Sequence, residues 1–306
     1  MLIWLVLIPL IAAALIGLCK APARPTALLS ASLTLALGIW ALVSFDGCSS
    51  CWSRFEGMDL QLTLAPALSK VMLLLTILVT FATVLGTNPP QGGEASWYNS
   101  ALLISAGATG AFLSDNIISF FAFHELALIP TFVMIGLYGR GDRRTTAWRA
   151  TLYLGLASMV LLAALLMIGT QAGFTFSGLK DFMASGRELA HAELIGALLI
   201  AGFGTLISLF PFHSWAAPAY ASAPAPVAMM HAGVLKKFGL YGLFMFQPLM
   251  ETGFLPWTNI LLVLLVCNVI WVGYVTVNQK RLDLLLGNSS VMHMGYIFLA
   301  FAALVV

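Results

Sequence analysis

Charge is the scarcest commodity in this 306-residue chain: 14 Lys and Arg and 12 Asp and Glu make up 8% of it, against 60% hydrophobic residues. A soluble domain of this size needs far more charge to cover its surface, so a soluble globular fold is excluded. The net charge of +2 is too small to point to a nucleic-acid partner. No low-complexity tract or linker divides the chain, which predicts one polytopic domain over 1–306. The short alternating segments of a membrane β-barrel are also missing. The first apolar run, MLIWLVLIPLIAAALIGLC, has no basic leader and no cleavage site, so it is read as a span and not as a signal peptide.

What remains is long apolar runs, several of about 18 residues or more without a charge, enough to cross roughly 30 Å of hydrocarbon as helix. They predict an all-α membrane protein with about ten transmembrane helices, at about 1–19, 26–44, 67–86, 98–113, 116–138, 147–169, 193–210, 226–247, 258–277 and 286–306. Alternate loops carry eight basic residues (Lys20, Arg24, Arg140, Arg143, Arg144, Arg149, Lys280 and Arg281) against four on the other side (Arg54, Lys70, Lys180 and Arg187). The positive-inside rule then puts both termini on the outer side of the cell membrane. On that outer side, DGCSSCWSR holds Cys48 and Cys51 in a lone CxxC, a small disulfide or two idle thiols before it is a redox or metal site. Residues 46–66 suit a short hairpin and 176–193 a short amphipathic surface helix. Cys19 and Cys267 fall in apolar runs, as packing residues would.

Twelve of the fourteen basic residues sit in loops or at span ends; Lys236 and Lys237 do not. Lys237 is eleven residues from Pro226 and ten from Gln247, so neither end of its span is nearer than about 15 Å at 1.5 Å per residue. A lysine stem does not easily reach the interface from there. A charge at that depth costs about 2.5–3.5 kcal/mol on insertion scales, and such groups read first as functional. One lysine snorkelling while the other pairs structurally is the plainer alternative. Glu125 lies near the middle of SFFAFHELALIPTFVMIGLYG with His124 beside it, and Pro130 predicts a helix break there, leaving the carbonyl of Leu126 without its helical donor. Buried acids and bases have proton affinities that depend on burial and on each other's charge, so Glu125 and the lysines suit proton transfer. A static ion pair between helices is the competing reading. Pro211, Pro218, Pro224 and Pro226 predict a broken helix before the lysines, and discontinuous helices typically mark ion pathways. His213 follows the break and His231 lies one and a half turns before Lys237; both are candidates for proton transfer, although a lone histidine is usually a hydrogen-bonding residue. Gly233, Gly239 and Gly242 permit close helix approach or local unwinding beside the lysines. No constellation for bond chemistry, phosphate loop or metal-ligand set stands out.

FFAFHELALIP, LFPFHSWAAPAYASAPAPVAMMHAGVLKKFGLYG and QKRLDLLLGNSSVMHMGYIF, in that order, resemble the antiporter-like membrane subunits of respiratory complex I, of the chain M type. They are also similar to subunits of Mrp cation/proton antiporters and of membrane-bound hydrogenase arms. The resemblance implies inverted five-helix repeats, each with a broken helix: the first over about 98–247, the second begun over 258–306 and incomplete. It implies a proton-translocating subunit without a cofactor of its own, whose partners in the membrane arm and beyond supply NADH, FMN, iron–sulfur clusters and quinone. An Mrp-type cation/proton antiporter component or membrane-bound hydrogenase arm subunit, and a non-conducting scaffold, are the alternatives. Glu125 matches the family's fifth-helix glutamate, Lys237 its eighth-helix lysine, and His293 a position near the central hydrophilic axis. Lys236 is then an additional charge. The family's seventh-helix lysine, five residues before the proline of the break, is replaced here by Leu206.

Overall fold

Caps, prolines and left-handed residues set the boundaries of the helices in the computed structural model, which describes residues 1–44, 50–55, 58–89 and 92–305. In chain order these are α1 (Ile3–Gly17), α2 (Ala23–Ser44), the strands β1 (Ser50–Phe55) and β2 (Met58–Leu62), α3 (Ala67–Gly86), α4 (Glu94–Leu113) and α5 (Ile117–Tyr138). Then follow α6 (Arg143–Ala172), α7 (Phe176–Ala184), α8 (Ala192–Leu206), α9 (Ala216–Ser222) and α10 (Ala225–Met230). A π-helical stretch, His231–Leu235, leads into α11 (Lys237–Met245), and α12 (Thr258–Val277) and α13 (Leu282–Val305) complete the order. Among the described residues, six helical stretches are long and apolar enough to cross a membrane. The chain is a membrane protein.

The helices fall into two compact units: Met1–Met134 with Ala225–Leu235, and Ile135–Pro224 with Lys236–Val306. In the first, α4 packs against α1, α2 and α3, and nearly every residue from Ser100 to Leu113 is buried. That explains why α4 tolerates Asn99, Ser100, Ser105 and Thr109: a helix walled by protein does not need an apolar surface all round. Gly107 permits contact with α5, since a Cβ there would lie 2.6 Å from the carbonyl oxygen of Phe123. The expected hairpin forms, with Ser50 opposite Leu62 and Arg54 opposite Asp59. It is tied down by Thr63 N–H donating to Leu113 O at 2.7 Å and Asp115 N–H donating to Gln61 O at 2.8 Å. Cys48, and with it the expected CxxC pairing, lies outside the described residues. Cys19 is exposed beyond the end of α1, not packed as expected, because the helix stops at Gly17. Asn116 then starts α5, its Oδ1 accepting from Ile118 N–H at 2.9 Å and Ser119 N–H at 3.0 Å. The π-helical stretch packs on α3, where a Cβ on Gly233 would meet Val79.

In the second unit, Asp142 caps α6 through Thr145 N–H, so this helix begins four residues earlier than its apolar run suggests. Thr175 caps α7, which buries Phe176 and Leu179; Gly186 at φ 76° follows soon after its end, so the expected surface helix is shorter than 176–193. Helix α6 packs against α8, α12 against α13, and α13 against α9. The last contact is close: a Cβ on Gly287 of α13 would lie 2.9 Å from the Cα of Ala217.

Candidate functional site

The acidic residue of the site stands in α5. Helix α5 runs through Pro130 without interruption, so the proline removes one ladder donor without breaking the helix. His124 is buried, and its Nδ1 lies 3.2 Å from Oε1 of Glu125, whose side chain is 32% exposed. Whether that contact is an ion pair depends on the imidazole proton. His231, at the start of the π-helical stretch, is buried in the same unit.

The break lies where the prolines place it, and its geometry is a complete helix terminus. Helix α8 ends at Leu206, and Ser208 takes the left-handed conformation at φ 66°. Leu209 N–H donates to Gly204 O at 2.7 Å and Ser208 N–H to Thr205 O at 3.1 Å. This is a Schellman motif, with serine where glycine is usual. Trp215 Nε1 adds a second donor to the Thr205 carbonyl at 3.2 Å, beside that of Ser208 N–H. Beyond the cap, Phe210 N–H donates to Oδ1 of Asn268 in α12 at 3.1 Å, and Nδ2 of Asn268 donates to Val291 O in α13 at 3.2 Å. One buried amide therefore joins the irregular backbone to two continuous helices. Replacing Asn268 with alanine leaves the Phe210 N–H without its partner and is expected to cost about 1–3 kcal/mol. A lowered thermal midpoint in detergent checks it; an unchanged midpoint means the break holds without this clamp.

The two lysines diverge. Lys236 is 1% exposed, and its Nζ donates to Oγ of Ser290 in α13 at 3.4 Å. The same ammonium lies 5.1 Å from the centre of the Tyr220 ring in α9. Lys237 is half-buried and its Nζ reaches Sδ of Met294 at 3.6 Å, a weak acceptor. His213, half-buried after the break, stacks on Phe210 with ring centres 5.4 Å apart. Its neighbour Ser214 donates to the Tyr153 hydroxyl at 3.0 Å. His293 lies on an exposed face of α13, its Nδ1 2.7 Å from the carbonyl oxygen of Ser289. Leu206, where the family has a lysine, is buried at the end of α8.

Sequence reasoning did not single out Tyr220, Ser290 or Asn268. Asn268 left a readable signal, since it is a lone amide in the middle of TNILLVLLVCNVIWVGYVTV. Ser290 and Tyr220 left none, because only tertiary packing brings them to Lys236.

Comparison with known proteins agrees with the motifs. Residues 114–305 match the family described as "NADH:quinone oxidoreductase/Mrp antiporter, TM". The NAD(P)H-quinone oxidoreductase chain 4 2 of Microcystis aeruginosa is 32% identical over 243 residues, 77% of this chain and 43% of the relative. The chain thus spans less than half the length of that relative. In the structure titled respiratory complex I from Thermus thermophilus with bound NADH, one chain superposes with a TM-score of 0.84 at 26% identity, over 96% of this chain and 63% of its own length. A chain of an archaeal membrane-bound sulfane sulfur reductase shares the fold, with a TM-score of 0.85 at 21% identity over 98% of this chain and 64% of its own. The family match over 114–305 and the relative's identity across most of the chain point one way: the chain belongs to the NADH:quinone oxidoreductase/Mrp antiporter family of membrane proteins, as an antiporter-like subunit of the complex I kind.

Proposed function

We propose that the chain is a proton-translocating membrane-arm subunit of a complex I-like quinone oxidoreductase in the cell membrane. It binds no redox group itself. Partner subunits hold the NADH, FMN, iron–sulfur and quinone sites, and electron transfer there drives protons through Glu125, the lysines and the histidines of this chain. In this reading about ten spans cross the bilayer, both termini face outward, and the helices from 98 to 247 form one repeat whose inverted counterpart begins at 258. The observation that carries it is the placement of ionisable groups within apolar helices. Glu125 lies in mid-α5, and Lys236, between the π-helical stretch and α11, is fully enclosed.

The test is quinone-linked proton uptake by inside-out membrane vesicles, with and without this chain. Uptake per electron is expected to fall when the chain is deleted and restored by its expression, with no requirement for sodium. Sodium-dependent proton flux in the absence of quinone turnover would instead make it an Mrp-type antiporter component. Leu206 supports one further reading, a non-conducting scaffold, because an aliphatic side chain cannot carry a proton where the family has a lysine. Unchanged uptake per electron after deletion establishes that scaffold.

A further inference from the structure

Three polar side chains from three separate stretches meet inside the second unit. Lys236 Nζ donates to Ser290 Oγ at 3.4 Å, and Ser290 is hydrogen-bonded in turn to Tyr220. The face of the Tyr220 ring stands 5.1 Å from the same ammonium. Tyr220 belongs to α9, the short helix that follows the break at Ser208–Pro211, and Ser290 to α13. Gly287 keeps these two helices in contact, since a Cβ there would lie 3.2 Å from Cβ of Tyr220. Burying a lysine this completely costs more than leaving it in water unless its donors are met. The cluster meets the ammonium with the Ser290 hydroxyl and the face of the Tyr220 ring, and both Ser290 and Tyr220 carry hydroxyls that can take and give a proton.

Lys237 has none of these properties. It is less enclosed, and its nearest polar partner is the thioether of Met294, which holds no exchangeable proton. The resemblance favours Lys237 by alignment, but the contacts favour its neighbour.

We propose that Lys236, and not Lys237, is the basic proton carrier of this chain, with Ser290 and Tyr220 as the hydroxyl relay between it and the broken helix. The proposal rests on the reading of the chain as a proton translocator and names the group that does the work. In one transfer the Lys236 ammonium gives a proton to Ser290 Oγ, Ser290 passes its own hydroxyl proton to Tyr220, and Tyr220 releases its proton to a water molecule beyond the cluster. Lys236 ends neutral, both hydroxyls are regenerated and no electrons move.

The experiment uses inside-out vesicles from cells whose own copy of the chain carries each variant, with assembly checked by the amount of the chain in the membrane. Lys236→Arg is the decisive variant. It keeps the positive charge and the hydrogen-bond donors, but a guanidinium does not release its proton. Lys236→Arg and Lys236→Met are both expected to slow quinone-linked proton uptake at least about tenfold. Tyr220→Phe, which keeps the ring face against the ammonium and removes the hydroxyl, is expected to slow it by a similar factor. Lys237→Met is expected to lower uptake less than twofold. Wild-type uptake in Lys236→Arg makes Lys236 a structural cation and overturns the proposal, and so does a tenfold loss confined to Lys237→Met. If Lys236→Met fails to assemble, Lys236→Arg and Tyr220→Phe still decide. The translocator reading is tested separately by Glu125→Gln in the same vesicles. Wild-type uptake there as well as in both lysine variants rejects that reading, whereas loss in Glu125→Gln with wild-type uptake in Lys236→Arg rejects the relay alone.

Discussion

Vesicles carrying Glu125→Gln are expected to take up protons at least about tenfold more slowly than wild type while the protein accumulates normally, because the substitution removes a titrating group and little else. Glutamine matches glutamate in volume and still offers an oxygen to His124, whose Nδ1 stands 3.2 Å from the carboxylate. Packing around α5 is therefore preserved, including the close contact of Gly107 with the Phe123 carbonyl. The titrating function is not preserved, since an amide does not exchange its charge with pH or with a passing proton. The carboxylate is 32% exposed in the isolated chain. Midway along an apolar helix, that exposed part is tolerable only against water or another protein surface, not against lipid. A carboxylate so placed is accessible to a proton and close to a buried imidazole, the combination a relay needs and a static strut does not. Unchanged proton uptake per electron in this variant would make Glu125 a structural residue.

Much of this was legible in the chain before any coordinates. The prolines at 211, 218, 224 and 226 announce an interruption, and the interruption is there, because a missing donor and a fixed φ act locally and leave a mark in the sequence. The hairpin of β1 and β2 and the long apolar helices follow from equally local signals. What escaped was tertiary. The segment 226–247 reads as one helix, but the structure inserts a π-helical stretch at His231–Leu235 before Lys236, and a π-turn depends on a packing environment that periodicity does not encode. Residues 98–113 read as a span, but only the packing of α4 on α1, α2 and α3 shows that its Ser100, Ser105 and Thr109 are enclosed by protein. The two lysines are adjacent in sequence and alike in composition. Only the third dimension separates one aimed at a hydroxyl from one aimed at a thioether.

The helix that carries those lysines is held by a contact that leaves no room for a methyl group, and this gives the second large expectation. A Cβ on Gly239 would lie 2.5 Å from Cγ2 of Ile207 and 2.7 Å from the carbonyl oxygen of Phe203, so α11 meets α8 just before the break. The Ile207 methyl can swing away, but a backbone carbonyl inside a helix cannot. Gly239→Ala must therefore push α11 off α8, and it is expected to destabilise the protein by about 1–3 kcal/mol, with Gly239→Val worse. Gly155 in α6 supplies the internal contrast, since nothing lies within 4 Å of a Cβ built there. Gly155→Ala is expected to be neutral or to stabilise by up to about 1 kcal/mol, through helix propensity alone. The same chemical change thus carries opposite signs at two helical positions, and thermal unfolding in detergent compares them directly. Because α11 begins at Lys237, directly after Lys236, a shift of that helix also moves the ammonium relative to Ser290. Gly239→Ala protein that does assemble is therefore expected to lose proton uptake together with stability. A variant with a wild-type melting temperature would mean that the close approach of α11 to α8 does not constrain the lysine helix.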